Sequence, residues 1–155
     1  MTSASHTSFV IERRFAAPPA AVFGAWADIE AKRRWSDCHT DEGQTELTMD
    51  FRPGGRESYR AVLEGGVRQS VEKVFFDIVW NERIVFAYDI EVGGKRLSAS
   101  LVTVEFSAEG EATFMRLTEQ LAYFDGHDDL QERIRGTREG LDRLALDLET
   151  GGAPH

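Results

Sequence analysis

A chain of 155 residues with a formal charge of -9 makes nucleic acid or an anionic membrane surface a poor choice of partner. Hydrophobic residues at 41 % and charged residues at 29 % are a globular composition, and the length fits one domain with one core. The lone cysteine, Cys38, excludes an intramolecular disulfide, and no apolar run approaches the roughly 18 residues of a membrane span, so a cytoplasmic protein is expected.

The first element is a strand at about 8–16, where Phe9, Ile11 and Phe15 alternate with polar neighbours and Arg13 shares their phase. Residues 1–8 and 151–155 read as flexible tails around a single domain at 9–150. Pro18-Pro19 ends the strand and opens a short helix whose apolar face is Val22, Phe23 and Trp26. Asp28 is a plausible N-cap for a second short helix that ends near Trp35.

Beyond Gly43 the apolar pattern has period two. Turn signals at Pro53-Gly54-Gly55, Gly65-Gly66, Trp80-Asn81-Glu82, Gly93-Gly94 and Ala108-Glu109-Gly110 delimit six consecutive strands, hence an antiparallel meander. In the strand at 83–92, Ile84, Phe86, Tyr88, Ile90 and Val92 share one phase. Val102, Val104 and Phe106 form an inward phase in the next strand, and Met115, Leu117, Leu121 and Tyr123 in the last. Strand 69–79 has no single apolar face, because Val74, Phe76 and Ile78 oppose Val71, Phe75 and Val79. A long helix then runs from about Gly126 or Asp128 to Glu149, with Leu130, Ile134, Thr137, Leu141, Leu144 and Leu148 on one stripe. Asp125, Asp128 and Asp129 crowd its start and read as capping residues, while Gly136 and Gly140 interrupt it.

Seven strands make a sheet roughly 34 Å wide, against a helix of only about 10–12 Å. The sheet must curl around the helix, and slender Leu and Ile side chains need not fill the space between them. An apolar pocket is the geometric expectation, suited to a small hydrophobic or amphipathic molecule.

The order strand, two short helices, six-stranded meander and long helix resembles the α+β helix-grip fold of the START-like (SRPBCC) superfamily. Within it, the chain is most similar to the family named after the activator of heat shock protein 90 ATPase homologue. The resemblance rests on Glu12-Arg13-Arg14-Phe15-Ala16-Ala17-Pro18 before Val22-Phe23-Gly24-Ala25-Trp26, then Trp35 and Asp50-Phe51-Arg52-Pro53-Gly54-Gly55-Arg56-Glu57. Glu82-Arg83-Ile84-Val85-Phe86, Leu117-Thr118-Glu119-Gln120, Asp125-Gly126 and Gly136 complete it. Many members follow that helix glycine with tryptophan, whereas this chain has Thr137, which implies a larger or more open pocket. The superfamily includes carriers, cyclases, dehydratases and co-chaperone domains, so the resemblance implies the fold far more firmly than an activity.

Glu119 interrupts the apolar phase of the last strand between Leu117 and Leu121, where burial would make it a structural ion-pair partner, a ligand contact or a general acid or base. Glu57 shares a phase with Tyr59, Ala61 and Leu63 and falls in the same class. The family's sheet order pairs the first strand with the last, which makes Arg13 the natural counter-charge of Glu119. Trp35, Phe51, Tyr59, Phe86, Tyr88 and Tyr123 are candidate aromatic wall residues, with Thr137 and Leu141 on the helix side; Trp80 reads as a packed turn residue. The stretch Asp37-Cys38-His39-Thr40-Asp41-Glu42 has ligand-type residues without the spacing of a zinc site, and Gly54-Gly55 is a hairpin rather than a phosphate loop. No metal or other cofactor is implied. The leading expectation is a binding protein for a small hydrophobic molecule. A cofactor-free enzyme resembling polyketide cyclases and aromatases, with Glu119 moving a proton aided by Tyr59 or Tyr88, is the alternative. An interaction module resembling the co-chaperone is the third, and exposed edge strands would also suit a homodimer.

Overall fold

The computed structural model describes residues 2–36 and 44–151. The chain runs through β1 (Ala4–Phe15), α1 (Pro19–Ala27), α2 (Ile29–Ser36), β2 (Thr45–Met49), β3 (Arg56–Val62), β4 (Arg68–Val79), β5 (Arg83–Val92), β6 (Lys95–Glu109), β7 (Ala112–Phe124) and α3 (Leu130–Glu149). All strands join one antiparallel sheet of seven in the order β1-β7-β6-β5-β4-β3-β2, with α3 in its concavity: the α+β helix-grip fold.

The tight β5–β6 turn works because Gly93 and Gly94 both adopt positive φ, at 59° and 82°. Gly55 has a different reason to lack a side chain. A Cβ there would lie 2.0 Å from the carbonyl oxygen of Asp50, so the β2–β3 connection closes only around a glycine. The same turn is clamped to β4, since the Gly54 N–H donates to the Phe75 carbonyl at 2.7 Å and the Phe75 N–H donates to the Gly55 carbonyl at 3.0 Å.

Three expectations need correction. Residues 4–8 are strand rather than tail: Ser5 pairs with Tyr123 and Thr7 with Leu121, and the Ser3 N–H donates to Asp125. Their exposed, polar side chains hid this, because a ladder is held by main-chain groups whatever the side chains are. Strand 69–79 has two phases because a bulge separates them. Phe75 pairs with Phe86 but the next pair is Asp77 with Val85, leaving Phe76 as the extra residue, 59 % exposed. Val71, Lys73 and Phe75 thus share the inner face before the bulge, and Ile78 packs on the core after it. Finally, α3 begins at Leu130, and of the acidic cluster only Asp128 caps it, accepting from the Leu130 N–H at 3.2 Å.

The apolar core is concentrated toward α1 and α2. Phe23 packs edge-on against Phe51 and Phe106, Phe51 packs on Phe75, and Trp26 packs on Trp35, with centroids 4.8–5.9 Å apart. Trp80 lies over Phe23 at 5.0 Å while remaining 64 % exposed, a lid on this cluster. The C-terminal half of α3 docks on α2 as well as burying Leu141 and Leu144 in the core. Arg34 bonds Asp147 at 2.6 Å, and Arg143 donates to the end carbonyl of α2 at Trp35 at 2.8 Å. A Cβ at Gly140 would meet that same carbonyl at 3.6 Å, whereas one at Gly136 would meet no atom within 4 Å. One helical turn therefore separates close packing from open space.

Candidate functional site

That open space is a cavity of about 330 Å³ between the inner face of the sheet, α2 and α3. Antiparallel register assembles its floor from residues far apart in sequence. Glu57 pairs with Lys73, Lys73 with Tyr88, and Tyr88 with Ser100, a polar row across β3, β4, β5 and β6. Beside it runs an apolar row, Phe75–Phe86–Val102–Glu119–Phe9, in which Glu119 is the single charge.

Glu119 is 3 % exposed, and its Oε2 accepts from the Tyr88 hydroxyl at 2.6 Å and the Ser100 hydroxyl at 2.8 Å. Its counter-charge is Arg133 of α3, with Nη1 3.4 Å from the same oxygen. The expected Arg13 partnership is wrong. Arg13 sits opposite Met115 and bonds Asp142, whereas the residue opposite Glu119 on β1 is Phe9, four positions or about 13 Å up the strand. Arg133 also donates to Ser98 at 2.8 Å and to Asp129 at 3.3 Å, and its guanidinium lies over the Tyr123 ring at 5.2 Å. Burial opposes the charge of Asp129, but hydrogen bonds with Tyr123 and His127 and the Arg133 charge hold it below its ordinary value. Asp129 therefore orients the arginine rather than capping α3. Burial, with the Glu119 charge adding, pushes the Tyr88 phenol above its ordinary value, so it stays a donor.

A second buried group occupies the α2 side. Glu57 accepts from Lys32 at 2.6 Å through Oε1 and from Lys73 at 3.0 Å through Oε2. Lys32 Nζ lies 5.6 Å from the Trp26 ring centroid and 5.5 Å from that of Phe75, and Lys73 lies 4.2 Å over Phe86. Burial outweighs Glu57 and, with Lys73 adding, pulls the Lys32 ammonium down to about 8. Burial alone would raise Glu57, yet the two ammoniums overcome it and hold the carboxyl at about 2.

Of the residues singled out from sequence, Trp35, Glu57, Phe86, Tyr88, Glu119, Thr137 and Leu141 are on the cavity wall. Three are not. Phe51 is in the aromatic cluster with Phe23, Phe75 and Trp80, and Tyr123 lies beneath Arg133 with its hydroxyl on Asp129 at 2.7 Å. Tyr59, opposite Leu47 of β2 and Val71 of β4, stands two residues along β3 from Glu57 and is not a wall residue. It therefore cannot assist Glu119, which leaves Tyr88 alone of the two tyrosines in contact with that carboxylate.

Lys32, Lys73 and Arg133 escaped the sequence reading although their spacing carried the signal. Lys32 stands three residues before the buried Trp35, Arg133 stands between Leu130 and Thr137 at helical spacing, and Lys73 shares the phase of Val71 and Phe75. Each is a charge on an inward face, the same signal that singled out Glu119. Among the described residues no group of three or more His, Cys, Asp or Glu could hold a metal ion, and no helix is long and apolar enough to cross a membrane. The Asp37–Glu42 stretch lies outside the described residues.

Residues 16–150 match the sequence profile of the Activator of Hsp90 ATPase homolog 1-like protein family. An uncharacterised protein from Rhizobium leguminosarum superposes with a TM-score of 0.91 at 44 % identity, over 97 % of this chain and 99 % of that one. The Mll3558 protein from Rhizobium loti gives 0.86 at 41 % identity, over 94 % and 99 %. CalU16 from Micromonospora echinospora, at 0.62 and 21 % identity over 96 % and 86 %, shares the fold. A search of curated proteins returns no match. By fold and by sequence, the chain belongs to the Activator of Hsp90 ATPase homolog 1-like family of the START-like superfamily.

Proposed function

We propose that the protein binds a small hydrophobic or amphipathic molecule in the cavity between the sheet and α3. The observation that carries this reading is the 330 Å³ space itself, near the lower end of ligand-pocket volumes. Its wall combines apolar surface from Phe86, Val102, Leu117 and Leu141 with a few fixed polar groups, the usual make-up of a ligand site. Gly136 and Thr137 keep the α3 wall thin, since a Cβ at Gly136 would meet no atom within 4 Å. A reducing, cytoplasmic setting fits the single cysteine.

Native mass spectrometry of freshly purified protein tests the reading, together with a Thr137→Trp variant that fills the space. The expected result is a co-purified small molecule on the wild-type chain and none on the variant, which stays folded. A bare wild-type chain that also fails to take up small hydrophobic probes would reject ligand binding.

A further inference from the structure

We propose that the cavity selects an anionic amphiphile, a small carboxylate whose head lies at Lys73 and Lys32 and whose tail lies along Phe86, Val102 and Leu117. This rests on the cavity being a ligand site and names the class of ligand.

The first argument is a charge count. Lys32, Glu57 and Lys73 place two ammoniums against one carboxylate, so the group carries an excess positive charge. All three side chains are on the cavity wall, and Lys73 keeps 12 % of its side chain accessible.

The second argument counts hydrogen-bonding capacity. Each ammonium has three N–H groups. Among the described residues Lys73 has Glu57 as its side-chain acceptor, and Lys32 has Glu57 and the distant sulfur of Met49 at 3.9 Å. The indole N–H of Trp26, a buried wall residue beneath Lys32, has no hydrogen-bond partner among the described residues. At this end of the cavity the surplus is therefore of donor type, which calls for an acceptor-rich head such as a carboxylate.

The other end of the cavity does not compete for that head. Arg133 is already shared among Ser98, Ser100, Tyr88, Glu119 and Asp129, so its charge is answered by the protein's own carboxylates. The cavity is polarised, and an amphiphile with an anionic head has one favourable orientation in it.

Calorimetric titration with octanoate, 1-octanol and octylamine tests the inference, because the three share a tail and differ in head charge. Octanoate is expected to bind at least about ten-fold more tightly than octanol, and octylamine most weakly. Lys73→Gln should remove the octanoate advantage over octanol, while Lys73→Arg restores it. Equal binding of octanoate and octanol to the wild-type protein, or equal weakening of both by Lys73→Gln, would overturn the anion preference and leave the cavity reading standing. Binding of none of the three would overturn both. Should Lys73→Gln fail to fold, the wild-type octanoate-to-octanol ratio decides alone.

Discussion

Glu57 pairs with two lysines, one of them, Lys32, only 1 % exposed, and its removal should be among the most damaging single changes in the molecule. Glu57→Gln keeps the size but leaves both ammoniums without a counter-charge. Breaking a buried pair from one side costs about 3–5 kcal/mol. An independent ceiling comes from the lysine itself, which can shed its proton. With its folded value at about 8, neutralising Lys32 at pH 7 costs about 1 kcal/mol at roughly 1.36 kcal/mol per pH unit, which caps the share of the loss that falls on Lys32 itself. Urea unfolding followed by tryptophan fluorescence should thus show a midpoint lower by about 1 M or more, with the slope unchanged. Glu57→Gln combined with Lys32→Met removes the stranded charge and should be more stable than Glu57→Gln alone. The pH dependence has a definite sign. Because the folded protein holds Glu57 at about 2 against an ordinary 4.5, its contribution is fully present above pH 4.5 and lost as pH falls toward 2. The stability gap between wild type and Glu57→Gln should close across that window. A single variant within 1 kcal/mol of wild type, or a double variant no better than the single, would refute the account of the triad.

Arg133→Met should cost about 3–5 kcal/mol by stranding Glu119, whereas Glu119→Gln, which still accepts from Tyr88 and Ser100 and leaves Arg133 with Asp129, should cost about 1–3 kcal/mol; the reverse order in urea unfolding would remove Arg133 from the centre of its network. Two glycines should behave oppositely in thermal melts. Gly136→Ala, with no atom within 4 Å of the new Cβ, should gain about 0.5–1 kcal/mol, while Gly55→Ala, 2.0 Å from the Asp50 carbonyl oxygen, should prevent the native turn from closing.

Much of the architecture was legible because local rules and global fold agree. Alternation marks β5, β6 and β7, paired glycines mark the turns before β3, before β4 and between β5 and β6, and the 4-3-4 spacing of Leu130 to Leu148 marks α3. Where reading failed, a local rule was broken for a tertiary reason. The bulge at Phe76 resets the phase of β4, and the polar start of β1 joins the sheet through its backbone alone.

The candidate site divides along the same line. A charge on an inward phase can be read from one strand, and Glu119 and Glu57 were found that way. Which charges meet is a matter of register between strands and of how α2 and α3 are seated, and no periodicity within a single element contains it. Arg13 is the partner that the resembled family's sheet order suggests, yet Arg133 arrives from the facing helix, and Lys32 arrives from another. Sequence alone determined that a slender helix lies in a curled sheet with carboxylates facing inward. Tertiary structure decided which cations answer them, because electrostatic pairing depends on distances of a few ångströms that only the packed chain sets.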